Sequence, residues 1–262
     1  MALVETEALV LRTYNLAEAD KIVVCLSRAA GLVRGVAKGC RRLRNRFGAA
    51  LEPFTLINLT YYQKENQELV SLRQVEILRS SFNFVSDPVT FSGLAYMGDL
   101  IVDFSPPYQA HEKLFRMLKA CVDATAASPQ DIQSVLRYFE VWLLRLEGFL
   151  PDIKQCAFCH RAFAQREPVY SSLDFALLCR ECSHDTGAHR LSSAAHSQLL
   201  TMLRLGPGPF ADESRAASDK THRELAQLTQ RLIMRVVERQ PRQRPNYSPA
   251  GFDPLVEESR RQ

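Results

Sequence analysis

Four cysteines form two C-x-x-C pairs, Cys156-Ala157-Phe158-Cys159 and Cys179-Arg180-Glu181-Cys182, separated by 19 residues. That spacing matches a structural zinc site. Each pair places two thiolates on one tight turn, and two turns complete a tetrahedron of sulfurs ~2.3 Å from the ion. Cys156, Cys159, Cys179 and Cys182 are therefore the expected ligands of one structural Zn2+ per chain. Four thiolates leave no open coordination position, which argues against a catalytic metal. A redox pair would be a single C-x-x-C beside a βαβ unit. A zinc deaminase would need His-x-Glu ahead of Pro-Cys-x-x-Cys. The only His-x-Glu here is His222-Arg223-Glu224, after the cysteines, and no proline precedes either pair. His160 and His184 lie just outside the pairs and are read as bystanders. Two readings of the finger stand. It organises an insertion too poor in apolar residues to hold itself together, which is preferred, or it contacts nucleic acid through Arg161, Arg166 and Arg180.

The second chemical feature is a run of positive charge. No acidic residue occurs between Asp20 and Glu52, whereas Arg34, Lys38, Arg41, Arg42, Arg44 and Arg46 place six basic side chains within 13 residues. Phosphates bind such patches by counterion release, independently of sequence. Phe47, Phe54, Tyr61 and Tyr62 could stack on bases, although a small barrel needs two or three of them inside.

Composition limits the alternatives. Apolar residues make up 46% of the 262-residue chain and charged residues 24%, ordinary values for a protein with a real core. The formal charge of +4 is mild, so its location matters more than its size. No apolar run is long enough to span a membrane. Glu5 and Glu7, with no basic region ahead of them, argue against a secretory leader. An odd count of seven cysteines in such a chain favours reduced thiols over disulfides. A soluble, cytoplasmic protein is expected.

The elements that position these groups follow from periodicity. Residues 1–80 carry five short β-rich runs: Ala8–Leu11, Ile22–Leu26, Leu32–Val36, Thr55–Tyr62 and Leu69–Val75. That count and spacing suggest a small barrel of OB-fold size. Gly35 and Gly39 would permit strong bending or close backbone approach. From Asp87-Pro88 onward the period becomes helical, over about 87–101, 111–125 and 129–146. Residues 152–190 interrupt the pattern with the cysteine finger. Helices resume over about 193–204 and 219–239, with Gly206-Pro207-Gly208-Pro209 read as a loop between them. Three prolines between 241 and 249, with scattered charge, make 241–262 a flexible tail. The expected fold class is α+β, an N-terminal OB-fold β-barrel (1–80) followed by a helical domain (81–240) with an inserted four-cysteine zinc finger.

The chain resembles the RecO family of bacterial recombination mediators along nearly its whole length. Three stretches carry the resemblance. They are Gly31-Leu32-Val33-Arg34-Gly35-Val36-Ala37-Lys38-Gly39 with the arginines and Gly48–Phe54 that follow, the helix Leu136–Phe149, and the finger. Cys40 stands where a small residue is usual. The resemblance implies a mediator of DNA repair and homologous recombination, cytoplasmic and nucleoid-associated. Such a protein binds single- and double-stranded DNA, anneals complementary strands and, with RecR, helps load RecA onto SSB-coated single strands. It also implies that zinc is not essential to the family's activity.

No phosphate-cradling Gly-rich loop, His-Glu-x-x-His or Gly-x-Ser-x-Gly occurs, and the carboxylates are scattered, so no enzyme is expected. A nuclease with an unfamiliar site and a zinc-ribbon transcription or RNA-binding factor are the competing classes. The SSB C-terminal tail, as the resemblance implies, is acidic with an apolar end. It needs an apolar notch rimmed by cations. Lys113, Arg116 and Lys119, beside Leu114, Phe115 and Leu118, and Arg137, beside Leu136 and Phe139, are the candidates for that surface.

Overall fold

The computed structural model describes residues 2–16, 18–63, 69–82, 86–164, 167–184 and 188–238. Five strands close a barrel: β1 (Ala2–Asn15), β2 (Lys21–Ser27), β3 (Gly31–Ala37), β4 (Leu56–Gln63) and β5 (Val70–Arg79), in the order β1-β2-β3-β5-β4. β1 pairs antiparallel with both β2 and β4, and β3 pairs with β5 in parallel. This is the OB-fold. β3 approaches β5 closely at Gly35, where a Cβ would lie 2.4 Å from the Leu72 side chain and displace it. Gly39 turns the chain out of β3 with φ 72°, a conformation that glycine adopts without strain.

The apolar run of β1 is continuous rather than alternating because both its faces are buried. Ala8 and Val10 point into the barrel with Val23, Val33, Ile57, Leu59 and Tyr61. Leu9 and Leu11 point outward, into the same core as Leu94, Met97 and Ile101 of the helical domain.

That domain holds α1 (Pro88–Phe104), α2 (Glu112–Ala127), α3 (Ile132–Leu146), α4 (Ser193–Met202), α5 (Pro207–Ser214) and α6 (Asp219–Glu238). Caps fix the entries. The Asp87 carboxylate accepts from the Thr90 N–H at 2.7 Å, with Pro88 in the first turn. The Ser192 hydroxyl accepts from the Ala195 N–H at 3.2 Å. α3 is the centre: every residue from Ser134 to Val141 is buried, so it has no wet side over that span.

The stretch Gly206–Pro209, expected as a loop, instead opens α5. Gly206 caps the helix, and Pro207 and Pro209 fall in its first turn, where backbone N–H groups lack intrahelical partners anyway. Phe210 then buries against Tyr138 of α3, ring centroids 6.0 Å apart. Between α3 and α4, strands β6 (Val169–Ser171), β7 (Leu177–Leu178) and β8 (His189–Leu191) form a small sheet in the order β7-β6-β8. The proposed tail 241–262 lies outside the described residues, as does Arg166.

Candidate functional site

The first cysteine pair sits on a hairpin. Gln155 and Ala162 bridge antiparallel, the Phe163 N–H donates to the Lys154 carbonyl at 2.9 Å, and His160 turns the chain with φ 58°. The second pair follows β7, and the Ala157 N–H donates to the Leu177 carbonyl at 2.9 Å, which draws the two turns together. All four sulfurs lie within 4.8 Å of one another, and Cys159 Sγ is 3.8 Å from Cys179 Sγ. A tetrahedron with ~2.3 Å bonds has edges of ~3.8 Å, so the four residues fit a zinc ion. No histidine joins this cluster among the described residues.

The electrostatics suit a cationic ligand. Burial acts to raise the Cys156 thiol, but backbone hydrogen bonds from Cys159, Cys179 and Phe158 outweigh it and bring it down to about 6. A hydrogen bond with Cys179, joined by burial, pushes Cys182 up to about 12. A divalent ion held by the four sulfurs would displace the protons they carry.

The finger is not held by the cluster alone. Ile153, Val169, Leu177 and Leu191 belong to the helical core. Among the described residues the finger's own cluster buries only Cys156, Leu178 and Cys179, so its other apolar side chains serve the helical core and do not hold the two cysteine turns together. Arg161 pairs with Glu181 at 2.6 Å, which partly neutralises a cation considered for nucleic acid.

On the barrel, Arg34 is half-buried on β3, whereas Lys38, Arg41, Arg42, Arg44 and Arg46 are exposed on the segment that follows it. This segment has a fixed shape. The Gly39 N–H donates to Asp20 at 2.8 Å and the Arg41 N–H to the Ala19 carbonyl at 3.1 Å. Asn45 accepts from the Phe47 and Gly48 N–H groups at 2.9 and 2.8 Å. Arg46 donates to the Leu72 carbonyl at 3.1 Å and covers the Phe47 ring.

Of the four candidate aromatics, Phe47, Phe54 and Tyr61 are buried. Tyr62 alone reaches the surface, in a groove of about 550 Å³ lined by Arg46, Tyr62, Ser71, Leu72, Arg73 and Gln74. The Arg73 guanidinium lies 5.4 Å from the Tyr62 ring centroid and hydrogen-bonds its hydroxyl. Arg73 lies outside the basic run that the sequence marks. The alternation of β5 carries the signal, because Val70 and Leu72 face inward and Ser71 and Arg73 outward, with Ser71 opposite Tyr62.

The helical candidates separate. Lys113 and Arg116 are exposed on α2, and Lys119 pairs with Asp123 at 2.9 Å. Their apolar neighbours Leu114, Phe115 and Leu118 are fully buried and offer no notch. Arg137 does not belong to any surface: it is 5% exposed and pairs with the buried Glu140 at 2.9 Å, beneath Thr229 of α6. Helical spacing gave α3 one wet face, but α6 covers it. An apolar notch with a cationic rim exists elsewhere. A groove of about 540 Å³ is lined by Arg145, Lys154, His196, Ser197, Leu200, Leu203 and Arg204, with no carboxylate among them.

Among the described residues, no helix is long and apolar enough to cross a membrane. Two family models match the chain, Recombination protein O N terminal over residues 1–81 and Recombination protein O C terminal over 85–245. The chain is 35% identical over 175 residues to "DNA repair protein RecO" of Koribacter versatilis, covering 67% of this chain and 70% of that one. It is 34% identical over 236 residues to the protein of the same name from Symbiobacterium thermophilum, covering 89% and 90%. With Thermobifida fusca the figures are 34% over 228 residues, covering 84% and 89%. A barrel with a basic rim, a helical domain and a four-sulfur finger thus stand within matches that span both halves of the chain, which belongs to the recombination protein O family of DNA repair proteins.

Proposed function

We propose that this protein is a repair mediator without turnover. It holds single- and double-stranded DNA on the barrel, anneals complementary strands and, with RecR, helps load RecA onto SSB-coated single strands. The observation that carries the DNA reading is the union of the basic segment Lys38–Arg46 with the groove that presents Tyr62 and Arg73. Phosphates take the arginines, and an exposed base takes the tyrosine face. The finger holds one structural zinc through Cys156, Cys159, Cys179 and Cys182 and docks on the helical core. RecR, RecA and SSB enter from the family resemblance.

Replacing Lys38, Arg41, Arg42 and Arg44 with Ala is expected to weaken binding to all sequences alike. The log–log salt slope should lose magnitude by ~0.7 per lost phosphate contact on single strands and ~0.9 on duplex. Tyr62→Ala should instead leave the slope unchanged and weaken single strands selectively, by ~1–3 kcal/mol for one lost stack. Salt titrations of fluorescence anisotropy measure both. An unchanged slope and affinity in the quadruple variant would place the DNA site elsewhere.

The acidic SSB tail fits the Arg145–Lys154–Arg204 groove better than α2. The cations offer charge-assisted donors to its carboxylates, and Leu200 and Leu203 can bury its apolar end. Arg145→Glu with Arg204→Glu is expected to abolish binding of a tail peptide, whereas Arg116→Glu and Arg42→Glu retain it. If Arg42→Glu alone abolishes it, the tail competes with DNA for the barrel.

A further inference from the structure

Leu43 is fully exposed at the crest of the basic segment, between Arg42 and Arg44. Single exposed leucines are common and by themselves say nothing. Two features set this one apart. Its neighbours in the same segment are drawn into the barrel: Phe47 is buried in the barrel core, and Cys40 packs against it. The turn between them is also pinned on both sides. The Arg41 N–H donates to the Ala19 carbonyl and the Arg42 N–H to the Gly39 carbonyl, both at 3.1 Å, while the Asn45 amide donates to the Arg42 carbonyl at 3.1 Å. The crest therefore cannot collapse to bury Leu43 without breaking those bonds.

We infer that Leu43 is a wedge that enters a base step of bound DNA. This rests on the reading of the segment as the phosphate-binding surface. Exposed arginines on both sides are suited to holding the backbone, and at this crest, away from the Tyr62 groove, the group that meets the bases is the isobutyl side chain. Apolar side chains inserted at a step unstack it. In an annealing protein such a wedge keeps bases from stacking on their own strand and so presents them to the complement. It also makes a locally unstacked or junction-like site the preferred ligand over uniform duplex.

The test uses the full-length protein with a single-stranded oligonucleotide carrying one 2-aminopurine, whose emission rises when it is unstacked. Saturation with the unmodified protein is expected to raise the emission, Leu43→Phe to preserve the rise, and Leu43→Ser to lose most of it. The salt slope of Leu43→Ser should match the unmodified protein, since its phosphate contacts remain. Circular dichroism serves as the fold control, and no change is expected for a side chain in solvent. A full rise with Leu43→Ser overturns the wedge. Unchanged affinity in Arg41→Ala/Arg42→Ala/Arg44→Ala overturns the underlying phosphate surface, and the wedge falls with it. Lost affinity there together with full emission in Leu43→Ser removes the wedge alone.

Discussion

Cys156→Ser is expected to lose the metal and unfold the finger. A structural zinc contributes on the order of 10–16 kcal/mol of apparent folding free energy at neutral pH. That is as large as the whole stability of an ordinary domain, ~5–15 kcal/mol, so three remaining thiolates cannot hold the two turns together. The loss should spread, because Ile153, Val169, Leu177 and Leu191 anchor the finger in the helical core. Each contributes ~1.5–3 kcal/mol when fully buried, and their partial exposure should lower the thermal midpoint of the whole protein. Elemental analysis should find one zinc per unmodified chain and almost none in the variant. Cys40→Ser, outside the cluster, should keep its zinc. Unmodified protein prepared without chelator and lacking zinc would count against the metal reading.

Arg137→Met is expected to be the most destabilising single change away from the finger, by ~3–5 kcal/mol, because it strands a buried carboxylate. Glu140 is fully buried, and the Thr229 hydroxyl donates to it at 2.5 Å. Burial already pushes its carboxyl above the ordinary range, opposed by the Arg137 charge and by hydrogen bonds from Thr229 and Tyr96. Without the arginine that opposition weakens and the folded carboxyl titrates higher still. The native state then keeps a proton that the unfolded state has released. Stability of the variant should be greatest below the ordinary carboxylate range and fall as pH rises through the interval between the unfolded and folded values. Adding Glu140→Leu should recover most of the loss and remove the pH dependence, since a buried pair replaced by apolar residues is often neutral. Urea titrations from pH 4 to 8 would show this. Equal destabilisation of single and double variants at every pH would mean that the carboxylate was not the cause.

The parts of the molecule that were legible from sequence are those set by short-range chemistry. Two cysteine pairs at zinc spacing, five β-branched runs and an Asp-Pro helix start each specify their own geometry, and the structure places them as expected. The errors arose where a partner distant in sequence decides the outcome. Arg137 reads as a wet helix position until α6, some 90 residues later, covers it and Thr229 comes within 3.4 Å. Gly206–Pro209 reads as a loop because its helix is too short to show a period, and only Phe210 packing on α3 reveals it. Arg73 was overlooked because a lone arginine on a strand is ordinary. It gains significance when cross-strand register places it beside Tyr62. Which aromatics were core could be counted but not named: Tyr61 and Tyr62 are adjacent on β4, and the sequence does not tell the inside of that strand from its rim.

The two-faced burial of β1 bears on how force and orientation pass through the molecule. Leu9 and Leu11 on its outer side share a core with α1, and Arg12 ties the same wall to Asp99 of α1 at 2.7 Å. Domains joined by small polar contacts swivel by default, whereas an extensive apolar seam suppresses that freedom. Barrel and helices therefore behave as one rigid arm. If DNA is held on the barrel and a protein on the helices, as proposed, the two would keep a constant angle across this seam, and reorientation between them would draw on bending of the strand or slack in the partner.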